Sequence, residues 1–285
     1  MDSTPASYIS TRQFGSARVS IISDGSGRST IIKSLLAPES EWRPEVPEAD
    51  ADGEIVLGYN VALVEIGDAR VLIDTGFDDA TNDSQWKAPR HNRSPGVPAG
   101  LAALGLTPAD ITHVVFTHAH GDHFAGSTHV ADGQRAIRYA NATHFLGRSD
   151  WESNPHRLQT ESFGYLHLKP LVDAGKLELV DGEKEIVPGV TMIHAPGESL
   201  GHSIVRVRSA GETFYFLGDL FHHPCEVSHL DWVSAGRDPI VFRASRERFL
   251  AEAVPAKATM VFTHRTFPGW GHIEPTSTGF RWIDD

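Results

Sequence analysis

The sequence predicts an α/β protein whose mixed sheets pack face to face with helices outside. Three observations carry that expectation. Short apolar or alternating runs recur along the chain, helix-spaced segments interleave with them, and a dense His and Asp cluster sits where one such run ends. With 285 residues, 40% of them hydrophobic, the chain can bury a sizeable core. No internal repeat, low-complexity run or long Gly/Ser linker divides it, so the expectation is one domain over 1–285.

Taken in order, residues 17–23 (A-R-V-S-I-I-S) alternate as a strand, and 55–66 and 70–74 read as two β runs joined by a turn at Gly67-Asp68. Together they predict an early antiparallel meander. Between them, 34–54 is acidic, Pro-rich and aperiodic. It is open to two readings, a solvated surface loop or a lid presenting Leu35, Leu36 and Trp42 to a substrate. Residues 97–107 carry helical spacing through Val97, Leu101 and Leu104, and 113–117 (H-V-V-F-T) is a short, nearly all-apolar strand. Further strands are expected at 143–146, 177–180, 186–193, 203–208, 213–217 and 258–263. Helices are expected near 148–153, 162–174 and 243–253. Within 153–172, Phe163, Tyr165 and Leu166 either wall a pocket or pack a helix.

Composition removes several function classes. The formal net charge is −12, from 37 acidic against 25 basic side chains, which argues against a surface built to neutralise nucleic-acid phosphates. Cys occurs once, at Cys225, so neither a disulfide framework nor a thiolate zinc site can be assembled, while His is abundant at 16. A metal here must be held by imidazole and carboxylate. No stretch of about 18 apolar residues suggests a membrane span, and the first residues, M-D-S-T-P-A-S-Y-I-S-T-R, lack the pattern of a signal peptide. The expected location is cytoplasmic.

The segment T-H-A-H-G-D-H at 117–123 places three imidazoles and a carboxylate within a single turn. A packed core would have to satisfy each of these costly groups separately, whereas a metal pair satisfies all of them. His118 and His120 alternate toward one ion; Asp122 and His123, displaced around Gly121, turn toward a second. Three later residues fall at strand boundaries: His202 just before an apolar run, Asp219 ending F-L-G-D, and His264 ending V-F-T-H. They supply a third nitrogen for the first ion, a carboxylate bridging both, and a nitrogen for the second.

These residues resemble the metallo-β-lactamase fold superfamily, whose H-x-H-x-D-H motif is present here as His118 through His123. The resemblance runs from V-L-I-D-T-G at 71–76 to the C-terminus. It implies an αββα sandwich with the metals, usually zinc, at one edge of the paired sheets. Metal 1 would be held by His118, His120 and His202, metal 2 by Asp122, His123 and His264, with Asp219 between them. Asp74 either supports the His loop or simply caps a strand. F-P-G-W-G-H-I at 267–273, G-F-R-W-I at 279–283 and G-D-L-F-H-H at 218–223 look like the branch that contains methyl parathion hydrolase and the acyl-homoserine lactonases. Two positions depart from the pattern. His222 stands where those lactonases carry a Tyr shortly after the bridging Asp, and Glu198 stands where the superfamily often has His.

The chemistry so implied is hydrolysis by a hydroxide shared between two divalent ions about 3.5–4 Å apart, zinc foremost, with manganese, cobalt and iron accepted by the same donors. Asp122 or a metal-bound water carries the proton to the leaving oxygen, and His222 is a candidate for touching substrate or metal water. His272 is the alternative to His264, and His194 reads as structural. The expected substrate is a small uncharged lactone or carboxylic ester, with an organophosphate triester as a side activity and Trp42, Phe163, Trp151 and Trp270 as candidate walls. Quorum-quenching lactonase activity falls within this class. Rival readings are a glyoxalase-type thioester hydrolase and an iron-dependent oxidoreductase on the same fold. A homodimer would cover apolar surface expected in the 35–45 loop.

Overall fold

A computed structural model describes residues 8–77, 91–155 and 157–285. Strands Ala17–Ser29, Ile55–Ile66 and Ala69–Ile73 form the expected antiparallel meander, strand Ile9–Phe14 adds to its edge, and Ala69–Ile73 then pairs in parallel with His113–Val115. Thr143–Gly147 and Leu177–Val180 extend the sheet, also in parallel. A second sheet runs Glu183–Val187, Val190–His194, Ser203–Ser209, Glu212–Phe216, Thr259–Val261, Gly271–Pro275 and Phe280–Asp284 in spatial order. Its one parallel step joins Glu212–Phe216 to Thr259–Val261.

Burial divides the apolar side chains into layers. Val19, Ile21, Val64, Ile73, Val205, Phe214 and Phe216 fill the space between the sheets. On the outer face of the first sheet, Leu63, Leu72 and Val114 meet Leu101 of helix Val97–Ala103 and Leu171 of helix Lys169–Asp173. On the outer face of the second, Ile204, Tyr215 and Met260 meet Phe242, Phe249 and Leu250 of helix Pro239–Ala253. The stack is therefore the αββα sandwich. Among the described residues no helix is long and apolar enough to cross a membrane.

Three of the expected segments take a different form in the structure. The run at 186–193 is two strands, Glu183–Val187 and Val190–His194, because Gly189 at φ 87° turns the chain between them. The segment 34–54 contains helix Glu39–Glu45. Its Trp42, with Leu35 and Val46, is buried against Ile32, Ile55, Leu57 and Trp232, so Leu35 and Trp42 face a small core of their own. Only Leu36 remains exposed, at 52%, and most of the apolar surface that suggested a dimer is covered by the chain itself. The segment 162–174 begins with a π-helical turn, Gly164–Leu168, before helix Lys169–Asp173.

Candidate metal centre

Parallel strands place their carboxyl ends together, and the sequence has put its polar residues there. Asp74 follows Ala69–Ile73, the His loop follows His113–Val115, Asp150 follows Thr143–Gly147, Asp219 follows Glu212–Phe216 and His264 follows Thr259–Val261. Backbone bonds fasten these ends across the two sheets: Ser203 N–H donates to Thr117 O at 2.8 Å, Asn60 N–H to Thr263 O at 3.0 Å and Gly58 N–H to His264 O at 3.0 Å.

All seven expected ligands converge at this edge. His118, His123, His202, Asp219 and His264 are buried, while His120 is 41% exposed and Asp122 15% exposed at the surface of the site. The oxygen Oδ2 of Asp219 lies 3.1 Å from His264 Nε2 and 3.7 Å from His118 Nε2, and its Oδ1 lies 3.4 Å from His123 Nε2. Asp122 Oδ2 is 3.6 Å from Nε2 of both His123 and His264. The tightest donor groups are His118, His120, Glu198 and Asp219; Asp122, His123 and His264; and Asp219, His222 and His264. His202 lies outside them. Its ring centroid is 5.2 Å from that of His118, and its Nε2 accepts the backbone N–H of Asp219 at 3.0 Å.

The donor chemistry fits a metal. His123 is engaged through Nδ1 by Asp74 at 2.8 Å, His202 through Nδ1 by the Ala195 carbonyl at 2.8 Å, and His264 through Nδ1 by the Gly58 carbonyl at 3.0 Å. Holding Nδ1 in this way directs Nε2 inward as a lone-pair donor. The Nε2 atoms of His118 and His123 and Oδ1 of Asp219 are buried with no hydrogen-bond partner, a costly arrangement unless a cation completes it. Electrostatics agrees. Burial alone would depress His123 and His264, yet Asp219 and Asp122, with Asp74 in the case of His123, raise both above the usual imidazole range. The centre attracts positive charge.

Asp74 does both things the sequence left open. It ends its strand at φ 62°, and its carboxylate accepts from Thr117 N–H at 2.7 Å while facing His123. His264 rather than His272 reaches the centre; His272 pairs with Asp285 at 2.6 Å on the surface. His194 Nε2 meets the Leu200 carbonyl at 2.9 Å, a structural contact. His223 pairs with Glu48 at 2.8 Å. His222 stacks on His264, with Nε2 3.4 Å from Asp219, and lines a cavity of about 290 Å³ together with His223 and Leu57. Burial would lower His222, but Asp219 and Glu226 outweigh it and hold the imidazole well above its ordinary range.

A larger cavity of about 750 Å³ opens beside His120, Asp122 and His264, walled by Tyr59, Phe124 and Phe163. Of the four aromatics expected to wall it, only Phe163 does so. Trp42, Trp151 and Trp270 are core residues, and no residue of 34–54 lines this cavity. Gly121 is small for a reason visible here, since a Cβ would stand 3.1 Å from the Phe163 ring.

Three further residues meet the site that were not expected to be part of it. Asp150 accepts from Ala119 N–H at 2.8 Å and Gly201 N–H at 2.6 Å, tying the His loop to the loop that carries His202. Glu198, noted only as a departure, stands beside His120, and Arg237 pairs with it through two nitrogens. Nothing local in R-S-D-W or S-A-G-R-D marks Asp150 or Arg237 as special, because each meets its partner only through the fold.

Residues 55–264 match the family described as the Metallo-beta-lactamase superfamily. The chain is 31% identical over 222 residues to a probable metallo-hydrolase of Mycobacterium tuberculosis, covering 69% of each protein. It is 22% identical over 210 residues to an N-acyl homoserine lactonase of Bacillus thuringiensis, covering 70% of this chain and 78% of that one. Among solved structures, a hydrolase named AbOPH superposes with a TM-score of 0.81 at 21% identity over 99% of both chains. AidC, a dizinc quorum-quenching lactonase bound to its product, superposes with a TM-score of 0.79 at 23% identity over 97% of both. The fold, the His-rich edge it builds and a family match spanning His118 to His264 lead to one conclusion: the chain belongs to the metallo-beta-lactamase superfamily.

Proposed function

We propose that this protein is a binuclear metal-dependent hydrolase that opens a lactone or cleaves a carboxylic ester. The observation that carries the reading is the convergence of unpartnered buried donors on His118, His123 and Asp219 beside a cavity large enough for a small molecule. His118, His120 and His202 would hold the first ion, Asp122, His123 and His264 the second, and Asp219 both. Of these, His202 is the residue whose Nε2 accepts a backbone N–H. When bound, two divalent ions, zinc foremost with manganese, cobalt or iron as alternatives, would bring the pKa of a shared water to about 7 and polarise the attacked carbonyl.

The chain's own residues supply the rest. Phe163 and Phe124 offer apolar faces to an acyl or aryl part, and Tyr59 stands edge-on to His264, with ring centroids 5.6 Å apart. Asp122 lines the cavity, which supports it as the group that accepts a proton and returns it to the leaving oxygen. His222 faces the smaller cavity, which supports a part in holding Asp219 rather than contact with substrate through the larger one. The net charge of −12 suits an uncharged substrate better than a polyanion, and an organophosphate triester fits the same chemistry as a side activity. The relatives named as lactonases support the lactone assignment. Both sheets lend donors to one point, which supports treating residues 1–285 as a single hydrolase domain.

The test is metal analysis of the purified protein, together with turnover of acyl-homoserine lactones, simple lactones, aryl esters, a thioester and a phosphotriester. Two equivalents of metal and lactone or ester hydrolysis lost on chelation are expected. One equivalent of iron without hydrolysis, or a His120→Ala variant that keeps both metal and turnover, would overturn the reading.

A further inference from the structure

Glu198 is a carboxylate without an assigned role, held 4% exposed at the centre of the site. Its Oε1 lies 3.3 Å from His120 Nδ1 and its Oε2 lies 3.7 Å from His222 Nε2. Asp219 reaches the same His222 nitrogen at 3.4 Å. Arg237 neutralises Glu198 from outside, but it approaches from the solvent side, where its own side chain is 31% exposed.

The distances separate two roles for this carboxylate. A hydrogen bond from His120 Nδ1–H would ordinarily measure about 2.7–3.2 Å. Donors sharing one tetrahedral ion, with bonds of about 2.1 Å, stand about 3.4 Å apart. The 3.3 Å separation of Glu198 from His120 and the 3.7 Å separation of His118 from Asp219 fall near the second figure. Donor atoms of His118, His120, Glu198 and Asp219 all lie within 4.8 Å of one another. His202 is absent from that group, its Nε2 being engaged by the Asp219 N–H at 3.0 Å.

We infer that Glu198 is a metal ligand, the fourth protein donor to the first ion in place of His202, beside His118, His120 and Asp219, with Arg237 paired to it from outside. The inference rests on the binuclear reading above. Its chemical consequence is a harder donor set on the first ion than a set of imidazoles with one carboxylate, and therefore better acceptance of manganese relative to zinc.

The experiment is titration of the metal-free full-length protein with cobalt(II), followed by visible absorption and by chelator competition. Glu198→Gln is expected to weaken one of the two equivalents by at least about tenfold and to change its absorption band. Arg237→Gln breaks the same ion pair but keeps the carboxylate, and should leave both equivalents within about threefold of the original. The inference falls if Glu198→Gln binds both equivalents unchanged, or if Arg237→Gln loses as much as Glu198→Gln. Should Glu198→Gln fail to fold by circular dichroism, Glu198→Asp shortens the reach and keeps the charge, and an unchanged cobalt spectrum there overturns the inference equally. Failure of the unsubstituted protein to take up cobalt would instead count against the binuclear reading itself.

Discussion

Asp74 concentrates several demands in one side chain. At φ 62° its backbone lies in the left-handed region that Asp and Asn tolerate better than other side chains. One oxygen accepts the Thr117 N–H at 2.7 Å, and the other faces both Thr117 Oγ1 at 2.8 Å and His123 Nδ1 at 2.8 Å. A carboxylate can only accept, so His123 must carry a proton on Nδ1, and the neutral ring then presents Nε2 as a lone pair. Asp74→Asn keeps the shape and the backbone preference but places an NH₂ within reach of Nδ1. That group donates, the His123 proton moves to Nε2, and the ligand atom is blocked. The expected outcome is a loss of 10- to 100-fold (roughly) in metal affinity by calorimetric titration with little change in the metal-free melting temperature. An affinity within about threefold of the original would show that the tautomer is not set here.

Gly218 shows how the strands hold the site. It stands between strand Glu212–Phe216 and Asp219 at φ 53°, and a Cβ added there would lie 2.8 Å from both His202 Nε2 and Thr117 Cβ. The two sheets meet at this point with no room for a methyl group. Gly218→Ala should therefore cost about 2–4 kcal/mol in urea denaturation, from overpacking added to left-handed strain. A change under about 0.5 kcal/mol would mean that the neighbours yield freely. The same economy explains what could be read in advance. Ile55–Ile66 and Ala69–Ile73 were legible because the Gly67-Asp68 turn separates two strongly apolar runs, and His118, Asp219 and His264 were legible because each follows such a run. Helix Glu39–Glu45 was hidden by its Pro44, and the last two strands, Gly271–Pro275 and Phe280–Asp284, by their half-exposed, polar-interrupted sequences. Asp150, Glu198 and Arg237 escaped for a different reason. A carboxylate or guanidinium acquires its meaning from partners that only the fold brings near, 31 residues away in the case of Ala119 with Asp150 and 39 in the case of Glu198 with Arg237.

Across the whole molecule, stability and site chemistry draw on different histidines, and pH separates them. His144 lies in the first sheet, stacked on Phe116 with ring centroids 5.9 Å apart and both ring nitrogens without a partner. Burial, reinforced by the Lys176 charge and opposed by the Lys176 and Ala142 backbone near the ring, pushes its pKa down to about 4. His167 lies behind Phe163, where burial and the nearby Arg135 and Arg138 charges bring it down to about 3. Unfolding releases both to an ordinary value near 6.5, so below that pH the unfolded chain binds more protons than the folded one. The stability these neutral rings retain is complete above about pH 6.5 and is lost as pH falls toward 4 for His144 and toward 3 for His167. Each contributes a slope of about 1.4 kcal/mol per pH unit through its window. Replacing His144 by Leu removes one titrating group and strands no hydrogen-bond partner, because the ring has none. Urea denaturation of the two proteins at pH 7 and pH 5 should show the unsubstituted chain losing about 2 kcal/mol more than His144→Leu over that interval. Equal losses in both would mean that His144 is protonated in the folded state or has a polar partner there, and the acid sensitivity of the fold would then have to lie elsewhere.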